Sequence, residues 1–255
     1  MKVATGIAHG PVLWSADGSS VAFLRTAAGS GDTERVDLVV ARADGSGSSI
    51  VSEGVGESAE FAWSSDGSRI AVLRAVTASD TVRHELVVAR ADGTGSSIVG
   101  EGVGEPTEFA WSPQGSQLAI VRRSGQDDNA PTLEVVLTNA DGTAPRSVTD
   151  ATWWNVFALS WSSDGRRLAF QVVTNSDVAV HGYEIWTTDA TTGATGQLVK
   201  DACGLQESPD GARIAYQAPC DELRGGVWAA AADGSRPIRL AERASSPTWR
   251  PVAAT

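Results

Sequence analysis

Two short stretches of this sequence place an acid four residues before a histidine: Asp80 before His84, and Asp177 before His181. A carboxylate behind an imidazole is the pairing that general acid–base catalysis uses, the acid orienting the ring while the ring moves a proton. Extended backbone sets residues four apart at about 13 Å, so only a folded loop would join either pair. Otherwise they are chance neighbours in polar segments. A third stretch, DATWWNVFALSW from Asp150, puts Trp153 and Trp154 beside Asn155. Adjacent side chains on a strand point opposite ways, so at most one indole is expected to be exposed. Either the indoles are packing, or one is an aromatic wall for a ligand, with Asn155 as a polar handle and His181 and Tyr183 on the same rim.

Other chemistry is missing from the sequence. No Gly-x-Ser-x-Gly elbow, phosphate loop, His-Glu-x-x-His pair or Cys-x-x-Cys pair occurs. GVGESA at 54–59 fits a loose dinucleotide fingerprint, but a strand follows it where a helix is required. The many Asp-Gly pairs lack the Asp-x-Asp-x-Asp spacing of a calcium loop and are expected to be turns. Neither a metal nor a cofactor is expected. Glu53, Glu57, Glu101 and Glu105 could attract a cation together, or be four solvated carboxylates. The net charge of −11 argues against nucleic acid and anionic membrane surfaces as partners. No apolar run approaches the roughly 18 residues of a membrane span. MKVATGIAHG, at the start, lacks the apolar centre of a signal peptide, so any export signal is expected to have been removed or never to have existed.

The elements that would position these residues come from a repeat. WSADGSSVAFLR begins at Trp14, WSSDGSRIAVLR at Trp63, WSPQGSQLAIVR at Trp111 and WSSDGRRLAFQV at Trp161, with a degenerate ESPDGARIAYQA at Glu207 and a stub at Trp249. Residues 38–66 and 86–114 match at 23 of 29 positions. A period of this size signals a solenoid or a propeller. Each unit carries four short runs rich in Val, Ile, Leu and aromatics. In the second these are 60–64, 69–74, 85–90 and 96–100, with Asp66-Gly67 and Asp92-Gly93 between them. Asp-Gly closes tight hairpins, Gly supplying the positive φ. Each unit therefore reads as an antiparallel meander whose faces only a neighbouring copy can cover. The motif Trp is expected to fill the space between copies.

The phrases WSSDGSRIAVLR and WSPQGSQLAIVR resemble the WSPDG-type repeats of TolB-like β-propellers, over almost the whole chain. The resemblance implies a propeller and leaves function open, since the family includes accessory binding domains, peptidase propellers and stand-alone proteins. Its archetype has six blades and a closing C-terminal WSP strand, which SPTWRP at 246–251 is similar to. Five complete units here instead favour five blades, with six as the alternative.

The expected architecture is thus a single all-β propeller domain of four-stranded blades over 1–255. Its units run about 10–58, 59–106, 107–156, 157–202 and 203–244, with a closing strand at 245–251. The Asp-Gly turns fall on one rim. Loops 25–36, 75–84, 122–132, 172–182 and 218–226, and links such as 52–59 and 149–157, fall on the other, where ligands usually bind. Arg83, Arg122, Arg123, Asp127 and Asp128 would give that rim mixed charge. Cys203 and Cys220 sit at one end of the fifth unit's first hairpin. They form either a disulfide suited to an extracytoplasmic compartment or two buried thiols of a cytoplasmic protein. The function expected is a monomeric, non-catalytic module binding a protein, peptide or small ligand at the loop rim. The alternative is a small lyase, cyclase or hydrolase using His181 or His84.

Overall fold

The computed structural model describes residues 7–28, 34–57, 59–78, 81–103, 108–123, 133–149, 153, 155–174, 182–221 and 224–248. Among them every regular element is a strand, and the strands form five four-stranded antiparallel sheets. The first sheet holds β1 (Ile7–Trp14), β2 (Ser20–Ala28), β3 (Glu34–Arg42) and β4 (Ser48–Ser52). The second holds β5 (Glu60–Trp63), β6 (Arg69–Ala78), β7 (Thr81–Arg90) and β8 (Ser97–Val103). In the third are β9 (Glu108–Trp111), β10 (Gln117–Arg123), β11 (Leu133–Asn139) and β12 (Arg146–Ser147). The fourth comprises β13 (Asn155–Trp161), β14 (Arg167–Val173), β15 (Tyr183–Asp189) and β16 (Thr195–Lys200). The fifth comprises β17 (Cys203–Glu207), β18 (Arg213–Ala218), β19 (Gly226–Ala231) and β20 (Ile238–Glu242). These sheets are the five blades of a β-propeller, each pairing its strands in chain order. Residues 244–248 form no strand, so the expected closing strand is absent from its described part, and 249–251 lie outside the described residues.

The repeated phrase builds one recurring corner. After each motif position comes a buried serine: Ser15, Ser64, Ser112, Ser162 and Ser208. The hydroxyl of Ser64 donates to Asp66 Oδ1 at 2.6 Å and accepts the amide of Arg69 at 3.0 Å. Ser15, Ser162 and Ser208 make the same two bonds with the first hairpins of their own blades. Serine and aspartate thus satisfy the buried start of the second strand, which is why they recur together.

Two compact units share the chain. One comprises Met1–Pro106, Gln114–Leu118 and Thr138–Pro145; the other Thr107–Pro113, Ala119–Leu137 and Arg146–Thr255. In the first, Leu24, Leu38, Phe61, Ile70 and Val72 form a core between the first two blades, with Trp63 packed against it. In the second, Val121, Val135, Trp153, Phe170 and Val172 form another, with Trp161 and Trp186 against it. The turn glycines let neighbouring copies approach. Gly93 has φ 83°, and a Cβ there would lie 2.6 Å from the Ile50 carbonyl oxygen.

Two expectations need correction. Residues 75–78 and 81–84 are strand, not loop: β6 and β7 pair from Ala75 opposite His84 to Ala78 opposite Thr81. Val76, Thr77, Thr81 and Val82 are β-branched and extend the hairpin beyond the point where polar character suggested a loop. Within the loop expected at 25–36, β2 and β3 likewise pair from Arg25 opposite Asp37 to Ala28 opposite Glu34. Trp14 is 60% exposed and fills no gap. Trp63 and Trp161 each bond to the repeat before their own, and Trp14 belongs to the first.

Candidate functional site

The fourth blade carries the cluster singled out in sequence. Trp153 is 8% exposed, with ring centroids 5.1 Å from Trp186 and 5.6 Å from Phe170. It bridges to Leu133 through the backbone. Of its two readings, packing is the one its position matches. An indole enclosed by two aromatic rings offers no face to a ligand.

Asn155 is exposed at the start of β13 and lies opposite Val173, which lies opposite Tyr183 at the start of β15. The three form a row across the end of the blade. With strands about 4.8 Å apart, Asn155 and Tyr183 are separated by roughly 10 Å. Tyr183 is half-buried and meets Phe157 edge to face, centroids 6.4 Å apart. That contact fixes the ring while leaving it part of the surface. On the opposite face of the blade, Trp186 Nε1 donates to Glu184 Oε2 at 2.9 Å, holding that carboxylate against the aromatic layer of Trp153 and Phe170.

The remaining candidates divide by placement. His84 lies within β7, half-buried, in a different sheet from the row. Trp154, His181, Asp177 and Asp80 lie outside the described residues, as do Asp127 and Asp128. Arg122 pairs with Glu134. Cys203 and Cys220 are joined by a disulfide, S–S 2.01 Å and Cα–Cα 5.5 Å, which clasps the end of the β17–β18 hairpin.

Two features lie away from the fourth-blade cluster. The fifth copy replaces the motif Trp with Glu207, whose carboxylate lies 3.2 Å from Arg167 Nη2. Burial pushes this carboxyl up, and the Arg167 charge opposes that. The cavity bordered by Arg167, Leu198, Glu207 and Ile214 is about 10 Å³, enough for nothing larger than water. A larger cleft lies between the first two blades and is treated below. The one signal for it in sequence was Glu53.

Neither a protein-family model nor a curated protein sequence matches the chain. Solved structures do. The β-propeller domain of the Trilobed protease from Pyrococcus furiosus has a TM-score of 0.61 at 15% identity, with 93% of this chain and 71% of that one covered. An oligogalacturonate lyase in complex with manganese scores 0.60 at 16% identity, covering 94% and 66%. TolB from Acinetobacter baumannii scores 0.52 at 17% identity, covering 88% of this chain and 53% of that one. The chain therefore spans about half the length of that TolB. Together with the WSxDG phrases and the five sheets they build, these likenesses show that the fold of this chain is that of the TolB-like β-propellers.

Proposed function

We propose that this propeller is a binding module whose loop-rich rim at the fourth blade holds a protein, peptide or small ligand. The observation that carries this reading is the row Asn155–Val173–Tyr183. It sets an amide and a phenol roughly 10 Å apart on one face of the blade, the phenol ring held edge to face by Phe157. An exposed hydrogen-bonding side chain beside a fixed aromatic is the usual make-up of a recognition surface. Trp154 and His181, next to this row in sequence, are proposed to complete it. The disulfide supports an extracytoplasmic setting, where such bonds persist.

The enzyme reading draws on the lyase among the structural neighbours, with His181 as acid–base. Fold likeness does not carry chemistry by itself, so the rim residues decide. Trp154→Ala and His181→Ala are to be compared once a ligand is in hand. Binding lost with Trp154→Ala and kept with His181→Ala is the expected result. Turnover abolished by His181→Ala with binding retained would replace the module by an enzyme. If neither change alters binding, the rim is wrongly chosen.

A further inference from the structure

The outer strands of neighbouring blades are latched in one place and open in another. Between the third and fourth blades the Thr195 hydroxyl donates to the Val148 carbonyl at 2.6 Å, and Arg146 donates to the carbonyls of Ala190 and Thr191. Aligned by strand register, the corresponding pair between the first and second blades is Ser96 and Val51. No hydrogen bond joins these two. Instead, β4 and β8 part beyond the Gly93 turn, which sits against Ile50, and leave a cleft of about 520 Å³. That is within the roughly 300–1,000 Å³ of sites that hold a ligand.

Val51, Val87 and Ile98 give the cleft an apolar lining, and Ser52, Ser96 and Ser97 supply hydroxyls. Ser52 is 6% exposed, and its Oγ has no hydrogen-bond partner. A buried, unpaired hydroxyl is costly and rare. The close copy has Gly100 at this position, so the fold does not require the serine. Charge is unbalanced in one direction. Arg74 is matched by Glu85 at 2.8 Å, whereas Glu53 shares Arg35 with the fully buried Asp37. The Glu53 side chain is 62% exposed, and Glu57 is exposed on the same link. β4 is also the last strand of its sheet, so its outer edge has no strand partner.

We infer that this cleft binds an extended peptide carrying a lysine or arginine. The peptide adds to the free edge of β4, sets alternate apolar side chains against Val51, Val87 and Ile98, and places its cation on Glu53. Strand addition supplies backbone hydrogen bonds, and the pockets and the carboxylate supply selectivity. β4 is five residues long, so a pentapeptide spans it.

The test uses a labelled, end-blocked Thr-Val-Lys-Val-Thr, read by fluorescence anisotropy against the whole chain. The same peptide with Glu in place of Lys, and lysine amide alone, serve as controls. Saturable binding is expected at low salt. It should weaken about tenfold with Glu53→Gln and at least tenfold with the glutamate peptide, while Trp154→Ala leaves it unchanged. Amide shifts at Val51, Ser52, Ser97 and Ile98 locate the site in solution. Unaltered binding to a folded Glu53→Gln variant overturns the proposal. Shifts centred on Asn155 and Tyr183 would also overturn it, as would lysine amide binding as tightly as the peptide.

Discussion

The indole Nε1 of Trp63 donates to the carbonyl of Leu13 at 3.1 Å. Trp161 makes the same bond to Ala110, also at 3.1 Å. In each case the acceptor lies one repeat back, immediately before the preceding motif Trp. The indole is thus a fastener between copies as well as filler, and its recurrence in sequence records a hydrogen bond. Trp14 is 60% exposed.

Removing the donor alone should therefore cost most where the fastener exists. Trp161→Phe keeps an aromatic ring but orphans a carbonyl, a loss of about 1–3 kcal/mol. Trp14→Phe should change stability by no more than about 0.5 kcal/mol, as exposed substitutions do. Urea unfolding of the two variants measures the difference. Equal losses would remove the fastener from the account.

A parallel comparison separates backbone strain from crowding at the turns. Gly18 (φ 69°) has open space where a Cβ would go, whereas at Gly93 that atom would meet the Ile50 carbonyl. Gly18→Ala should cost about 1–2 kcal/mol, the price of a left-handed non-glycine residue. Gly93→Ala should cost distinctly more, because the first two blades must also move apart. If thermal unfolding ranks the two variants equally, the glycines are needed for φ alone.

The corner aspartates make stability depend on acid. Hydrogen bonds from the Ser15 hydroxyl, and then from Ser19, lower the Asp17 carboxyl from the usual 3.8 to about 2. Asp66, Asp164 and Asp210 are lowered in the same way, first by Ser64, Ser162 and Ser208. A carboxylate depressed in the folded state contributes stability above its unfolded value and loses it as pH falls through the folded one. The melting temperature should hold above about pH 4 and drop steeply toward pH 2. Ser15→Ala should flatten part of that drop and move the Asp17 midpoint upward. An Asp17 titration near 3.8 in the intact protein contradicts this.

The corners were legible because each is local: Trp, Ser, Asp and Gly act within six residues, and their repetition gave blade number and strand order. The β6–β7 hairpin runs past the run expected to end at 74 because the β-branched residues beyond it favour strand even beside polar neighbours such as Arg83 and His84. Of the adjacent indoles, alternation predicted that one would pack. The packing of Trp153 depends on Phe170 and Trp186, partners 17 and 33 residues away that no local pattern names. The cleft was hidden for the same reason: it exists because Ser96 and Val51, 45 residues apart, fail to meet.

The disulfide offers a last test that bears on setting as well as stability. Cys203 and Cys220 close a loop of sequence separation 17 around the β17–β18 hairpin. Constraining the unfolded chain over a loop of this size is worth about 3 kcal/mol. The fifth blade gains more from such a clasp than its neighbours would. Its first strand has Glu207 where a Trp fastener stands in other copies, and all five residues of β20 are exposed. Replacing both cysteines by serine, or reducing the bond, should therefore lower the urea midpoint and raise proteolysis first within 203–242. The first two blades should stay protected. Thiol titration under denaturing, non-reducing conditions should find no free thiol in the protein as isolated. Two free thiols, with an unchanged midpoint after reductant, would remove both the clasp and the argument for an oxidising compartment.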